Sequence, residues 1–187
     1  GTRNIAANPT ILSGDFNGND VVTGSGSTLS ITGNDENAYH VVLSVFDAAT
    51  TLLDGFTVRG ANANGSNSIS VETLFIFQNS GGGMVNRNTS LTITNTIFTG
   101  NSAFQGGGMN NVFSSPTITN TTFIGNRASN GGGMRNDSSS PSITNTTFTG
   151  NSANQGGGML NTSSNPMIHN SILWGNGTEI TNSSSTP

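Results

Sequence analysis

Through the second half of the chain, apolar residues stand at fixed, widely spaced positions and polar residues fill the intervals. Met84, Met109, Met134 and Met159 are 25 residues apart, as are Ile93, Ile118, Ile143 and Ile168. Phe98, Phe123, Phe148 and then Leu173 keep the same step, as do Gly100, Gly125, Gly150 and Gly175. Inside one copy the pattern alternates, as in Ser142-Ile143-Thr144-Asn145. A strand turns the Ile to one face and both hydroxyls to the other. The register holds from Gly81 to Asn176 without an insertion. A fixed period of this length makes each copy one structural unit stacked on an identical neighbour, which is a solenoid.

The units are built of Thr, Ser, Asn, Gly, Ile and Phe, with hardly any Ala, Leu, Glu, Lys or Gln in helical spacing. This excludes helical repeats and predicts an all-β chain, a β-solenoid. About 25 residues at roughly 3.3 Å each supply three short strands and three corners, one coil stacked about 4.8 Å from the next. The whole chain then makes about seven coils, on the order of one domain. Ile143, Phe148, Ala153 and Met134 are expected to point inward. Three columns of Asn, starting at Asn86, Asn95 and Asn101, are expected at corners, each amide bonded to its equivalent one coil away. With Met134 inward, alternation puts Gly132 inward and Gly131 and Gly133 outward. That predicts a surface strip without side chains, open to another backbone or a flat sugar; the competing reading is that Gly relieves crowding opposite Phe.

Outside the regular copies the chain divides into diverged coils over 1–60, an insertion over 61–80, the repeats over 81–176 and a partial coil over 177–187. Thr10–Ser13 and Leu29–Thr32 read as strands. Between them, Asp15, Asn17, Asn19 and Asp20 form an acidic turn, the chain's weak calcium candidate. The turn lacks the Gly and Glu of a calcium loop at the sixth and twelfth positions, where Asp20 and Gly26 stand. Val58 aligns with Phe98 at a separation of 40, so about 15 residues are inserted in what reads as the only break in register. The insertion carries Phe75 and Phe77, and is expected either to cover the side of the solenoid or to bind a partner. In the last copy Trp174 stands at an outward position.

Charged residues are only 7% of the chain, with nine acids, five Arg and no Lys, for a net charge of −4. Nucleic acid and acidic membrane surfaces are poor partners for such a field. The absence of Cys excludes disulfides and thiol chemistry, and no stretch has the length and apolarity of a membrane span. Carboxylates are too sparse in the repeats to assemble the paired acids of a polysaccharide-degrading β-helix. No cofactor is expected.

The phrase Phe-x-Gly-Asn-x-Ala-x-x-Gly-Gly-Gly-Met resembles the short repeat of chlamydial polymorphic outer-membrane proteins. Asn8 to Asp15, Asn37 to Val42, Leu53 to Val58 and Asn170 to Asn176 are similar to phrases of large secreted bacterial repeat proteins, some with a C-terminal surface anchor of the choice-of-anchor type. The resemblance implies a right-handed, single-stranded parallel β-helix and an extracellular or cell-surface location, with no particular chemistry. The outward pairs Thr92/Thr94, Thr117/Thr119 and Ser142/Thr144 also resemble the ice-binding face of β-solenoid antifreeze proteins. The expected function is a non-enzymatic structural module, a rigid spacer or fibre subunit; the runner-up is a glycan-binding or adhesive module. Neither Gly1 to Pro9 nor Ile180 to Pro187 reads as a cap, so head-to-tail stacking of one copy on another is expected unless the chain is cut from a longer solenoid.

Overall fold

The computed structural model describes residues 7–47 and 50–185. Short strands recur at the 25-residue step and pair with their equivalents one copy away, giving four parallel sheets. A methionine sheet runs Val42–Val45, Met84–Arg87, Met109–Val112, Met134–Asp137, Met159–Thr162, Ile180–Ser183. An isoleucine sheet runs Leu52–Asp54, Thr92–Thr94, Thr117–Thr119, Ser142–Thr144, Met167–His169. A phenylalanine sheet runs Thr10–Ser13, Phe56–Arg59, Ile97–Thr99, Thr122–Ile124, Thr147–Thr149, Ile172–Trp174. A smaller fourth sheet, Asn62–Ala63, Ser102–Gln105 and Arg127–Asn130, adds a strand that the three-strand reading of each coil did not contain. The register is that of the repeat, Met84 beside Met109 and Phe98 beside Phe123. This stacking is consistent with a parallel β-helix.

The core follows from that register. Met84, Ile93, Phe98 and their copies as far as Met159, Ile143 and Phe148 are at most 1% exposed. Stacked strands hold identical rings one coil apart, so Phe98, Phe123 and Phe148 lie nearly parallel, with centroids 4.9 and 4.6 Å apart. Ala153, expected inward, is half-buried and lines an outer groove with Ala128.

One of the three Asn columns is not a corner, while the Asn101 column turns the chain between the phenylalanine sheet and the fourth sheet. Asn86, Asn111, Asn136 and Asn161 sit inside strands and are buried, each amide nitrogen donating to the next copy's oxygen at 2.7 to 2.9 Å, the last to Asn182 at 2.8 Å. Asn101, Asn126 and Asn151 are equally buried, and each donates both to the next Asn and to a backbone carbonyl, as Asn126 does to Asn151 and Phe98 at 3.0 and 2.9 Å. A buried amide needs its donors and acceptors met, and the equivalent Asn one coil away meets them except at the first rung, where Ser44 stands beside Asn86 and Asn86 Oδ1 has no partner among the described residues. Of the three columns, that of Asn95, Asn120, Asn145 and Asn170 takes the left-handed backbone, with φ of 50, 51, 50 and 46°.

The insertion over 61–80 is not the only one. It forms an antiparallel hairpin, Ser68–Val71 with Leu74–Phe77. An earlier hairpin, Val21–Thr23 with Ser30–Thr32, follows the first phenylalanine-sheet strand. This first hairpin lies along the stack over the Gly100 to Gly175 column. Val22 lies within reach of a Cβ placed on Gly100 or Gly125, Gly26 N–H donates to Gly150 O at 3.1 Å, and Gly26 packs against Gly175 O. Its signal in the sequence, Gly24-Ser25-Gly26-Ser27 between two short β-rich runs, is a hairpin signature too polar to stand out from the surrounding turns.

Phe123→Ala should lower stability by about 3–5 kcal/mol, because rings above and below hold the cavity open. Thr119→Ala, on a half-exposed outward side, should cost under about 0.5 kcal/mol. Urea melts of the two variants beside the wild type test the assignment, and equal losses would overturn it.

Candidate functional site

The glycine strip is not on the surface. Gly131, Gly132 and Gly133 are all buried. Counting outward and inward positions back from Met134 fails because the strand begins at Met134: Gly132 and Gly133 form a bend and Gly131 has φ of +70°, so strand alternation does not run through the triplet. Each triplet pairs backbone to backbone with the next, as Gly107 N–H does with Gly131 O at 3.0 Å and Gly108 N–H with Gly132 O at 3.0 Å. A Cβ on Gly133 would stand 2.6 Å from Gly158 O and 3.0 Å from the Phe148 ring. The glycines therefore admit a neighbouring coil and the core aromatic, not an external ligand.

The acidic turn spends most of its oxygens on its own chain, while Asp20 Oδ1 is buried without a partner among the described residues. Asp15 Oδ1 accepts from the N–H of Gly18 at 2.7 Å and of Asn19 at 3.3 Å. Asp20 Oδ2 accepts from Asn37 Nδ2 at 2.8 Å. Asn17 is exposed. The Asn19 amide, oriented by its partners, donates to Gly33 O at 2.9 Å and Glu36 Oε1 at 2.6 Å. These contacts brace the turn, and no group of three His, Cys, Asp or Glu side chains placed to hold a metal occurs among the described residues. Burial, with the charges of Asp15 and Glu36, holds the Asp20 carboxyl above the usual carboxylate range against the Asn37 bond and the Arg59 charge.

His40 is tied to the backbone. Its Nδ1–H donates to Gly81 O at 3.1 Å, and its Nε2 is buried without a partner among the described residues. Burial pushes its ionisation below the ordinary histidine range.

The threonine face is in register, Thr92 beside Thr117 beside Ser142. It ends at Met167 and His169 on one side and at Leu52 and Asp54 on the other. Trp174 is 74% exposed on the last phenylalanine-sheet strand, with Ile172 beside it.

The second hairpin builds the most structured feature of the surface. It packs on the outer face of the methionine sheet, burying Ile76 to 1% while Phe75 and Phe77 stay 63% and 56% exposed. Between it and the sheet lies a cleft of about 250 Å³. Its lips are Phe77 and Phe113; Arg87, Asn110, Arg135 and Asp137 line its polar part. Arg87 Nη1 donates to Phe75 O at 3.2 Å, pinning the hairpin. Asn110 donates to Ser80 Oγ and accepts from Arg135 Nη1 at 3.4 Å, and Arg135 Nη2 pairs with Asp137 at 3.0 Å. Phe75 and Phe77 were legible as an apolar insertion; Phe113, Arg87 and Arg135 were not joined to them, because only the folded hairpin brings them together.

Two variants test this account. Gly133→Ala should cost about 2–3 kcal/mol, since backbone and a stacked ring must move, whereas Gly18→Ala, with open space around it, should lose only the roughly 1 kcal/mol of a left-handed backbone. Equal thermal shifts would place the Gly133 Cβ wrongly. For His40 the folded chain favours the neutral ring, so the unfolded chain takes up the proton first. Its contribution is complete above about pH 6.5 and is lost as pH falls below that value. His40→Asn, which keeps a donor for Gly81 O, should flatten the melting temperature between pH 7 and 5, read by circular dichroism.

No family model matches this chain, and neither a curated protein nor a solved structure is significantly similar to it.

Proposed function

We propose that the chain is a right-handed parallel β-helix serving as a rigid, non-enzymatic module of a secreted or surface-exposed bacterial protein. The observation that carries this reading is the continuity of its columns. The amide ladder from Asn86 to Asn182 and the ring stack from Phe98 to Phe148 pass from coil to coil without a break. A stack bonded in this way has no hinge, which suits holding two points apart. The right hand is the one in which parallel crossovers overwhelmingly close. The bacterial surface location rests on the repeat resemblance alone.

Self-association extends the same reading. Among the described residues, Ile180–Ser183 and Val42–Val45 each have a strand neighbour on one side only, and an unpaired parallel edge is a template for another strand. A second copy stacked head to tail would continue the methionine sheet. A glycan-binding module remains the second reading, favoured by the cleft under the second hairpin.

Small-angle scattering across a concentration series tests the proposal. The expected result is a stiff particle whose length grows with concentration. A flexible profile would overturn the spacer, and a length independent of concentration at millimolar protein would remove the self-association.

A further inference from the structure

We propose that the cleft between the second hairpin and the methionine sheet binds a saccharide ring carrying a carboxylate, a uronic acid unit of an acidic polysaccharide. This goes beyond a spacer role and does not depend on it.

The argument starts at Phe113. It occupies a left-handed corner, φ 50°, at a position where the coils on either side place Asn88 and Ser138 with φ of 54 and 50°, and the next places Ser163 with φ of 49°. The strand Val42–Val45 is followed by another exposed Phe, Phe46, with φ of 55°. Small polar side chains suit that backbone and a bulky aromatic does not. Nor does packing call for a ring there, because Phe113 is 63% exposed. An aromatic side chain favoured by neither backbone nor core, standing over a cleft, points to contact with something outside the chain. Phe77 faces the same cleft from the hairpin. Two aromatic lips over a polar cleft offer ring faces to the C–H face of a pyranose while amide and carboxylate groups meet its hydroxyls.

The charge selects the kind of ring. Arg87 and Arg135 against Asp137 leave a local surplus of one positive charge in a chain whose net charge is −4. Arg87 holds the Phe75 carbonyl through Nη1, and its Nε is buried with no partner among the described residues. Arg135, its side chain 13% exposed, is held in place by Asn110 and Asp137. Guanidinium groups fixed in this way fit a carboxylate better than a neutral hydroxyl. The volume, about 250 Å³, lies below the 300 Å³ or so of a drug-sized pocket and suits one ring. A peptide would instead seek backbone pairing along a sheet edge, and this cleft is bordered by side chains.

The test titrates the whole chain with trisaccharides of galacturonate, glucuronate and mannuronate, and with their methyl esters, by ligand-observed NMR and calorimetry. At least one acid trisaccharide should bind saturably and its ester about tenfold more weakly. Phe113→Ser, which installs the residue of the next coils, should weaken binding about fivefold or more while leaving the melting temperature equal or higher. Phe77→Ser should weaken it similarly. No saturable binding by any of the three acids overturns the proposal, as does an ester that binds as well as its acid. Tri-glutamate binding as tightly as the trisaccharide would overturn the saccharide assignment in favour of a peptide. Phe113→Ser with lowered stability and unchanged affinity would make the ring structural and overturn the site.

Discussion

Every position in the regular coils must tolerate a copy of itself about 4.8 Å away, and the composition is the set of residues that can. Asn satisfies Asn, because one amide donates upward and accepts from below. Phe stacks on Phe, and Ile and Met pack on their equivalents. A charged side chain cannot be repeated this way, since like charges directly opposite repel across a sheet. The 7% charged composition is therefore a consequence of the stacking. Where a charge does occur in the repeats its column changes identity: Arg87 is followed by Val112, Asp137 and Thr162, and Arg135 stands between Asn110 and Leu160.

The same constraint separates scaffold from individuality. A residue that repeats is explained by its neighbours above and below; one that departs from its column needs another reason. Phe113, Arg87, Arg135 and Asp137 all depart, and the second hairpin gathers them at one cleft. Asp20 and His40, the groups whose ionisation burial shifts, lie in the diverged N-terminal part, where Asp20 is held by Asn37 and His40 by the Gly81 carbonyl of the first regular repeat.

The core was legible because a strand's period of two survives over three residues: Ile143 and Phe148 are buried as alternation requires. The same counting failed over Gly131 to Gly133, which precede the strand that starts at Met134 and so do not alternate with it. The amide ladders were legible from the 25-residue step, and Asn101 lies at the corner expected of it; Asn86 was misplaced because a column of repeated Asn reads alike whether it falls at a corner or within a strand. The insertion over 61–80 announced itself by the run Leu74-Phe75-Ile76-Phe77, too apolar for a loop. The first hairpin did not, because its strands are only three residues each and half their neighbours are Ser and Gly.

That first hairpin sets this stack of parallel strands apart from a simple repeat array. A simple stack contacts only nearest neighbours, so its ends can fray coil by coil. Here a segment near the start of the chain crosses the Gly100 to Gly175 column, donating to Gly150 and packing on Gly175. Coils separated by fifty residues and more are thereby tied to one element that none of them contains. The brace also lengthens the average sequence separation of contacts, which slows folding, because its docking surface is complete only once the coil carrying Gly175 has formed. The repeats can add in order, but the hairpin that precedes them docks fully only after the last of them is in place, and loss of that last coil removes part of the surface on which the first hairpin rests.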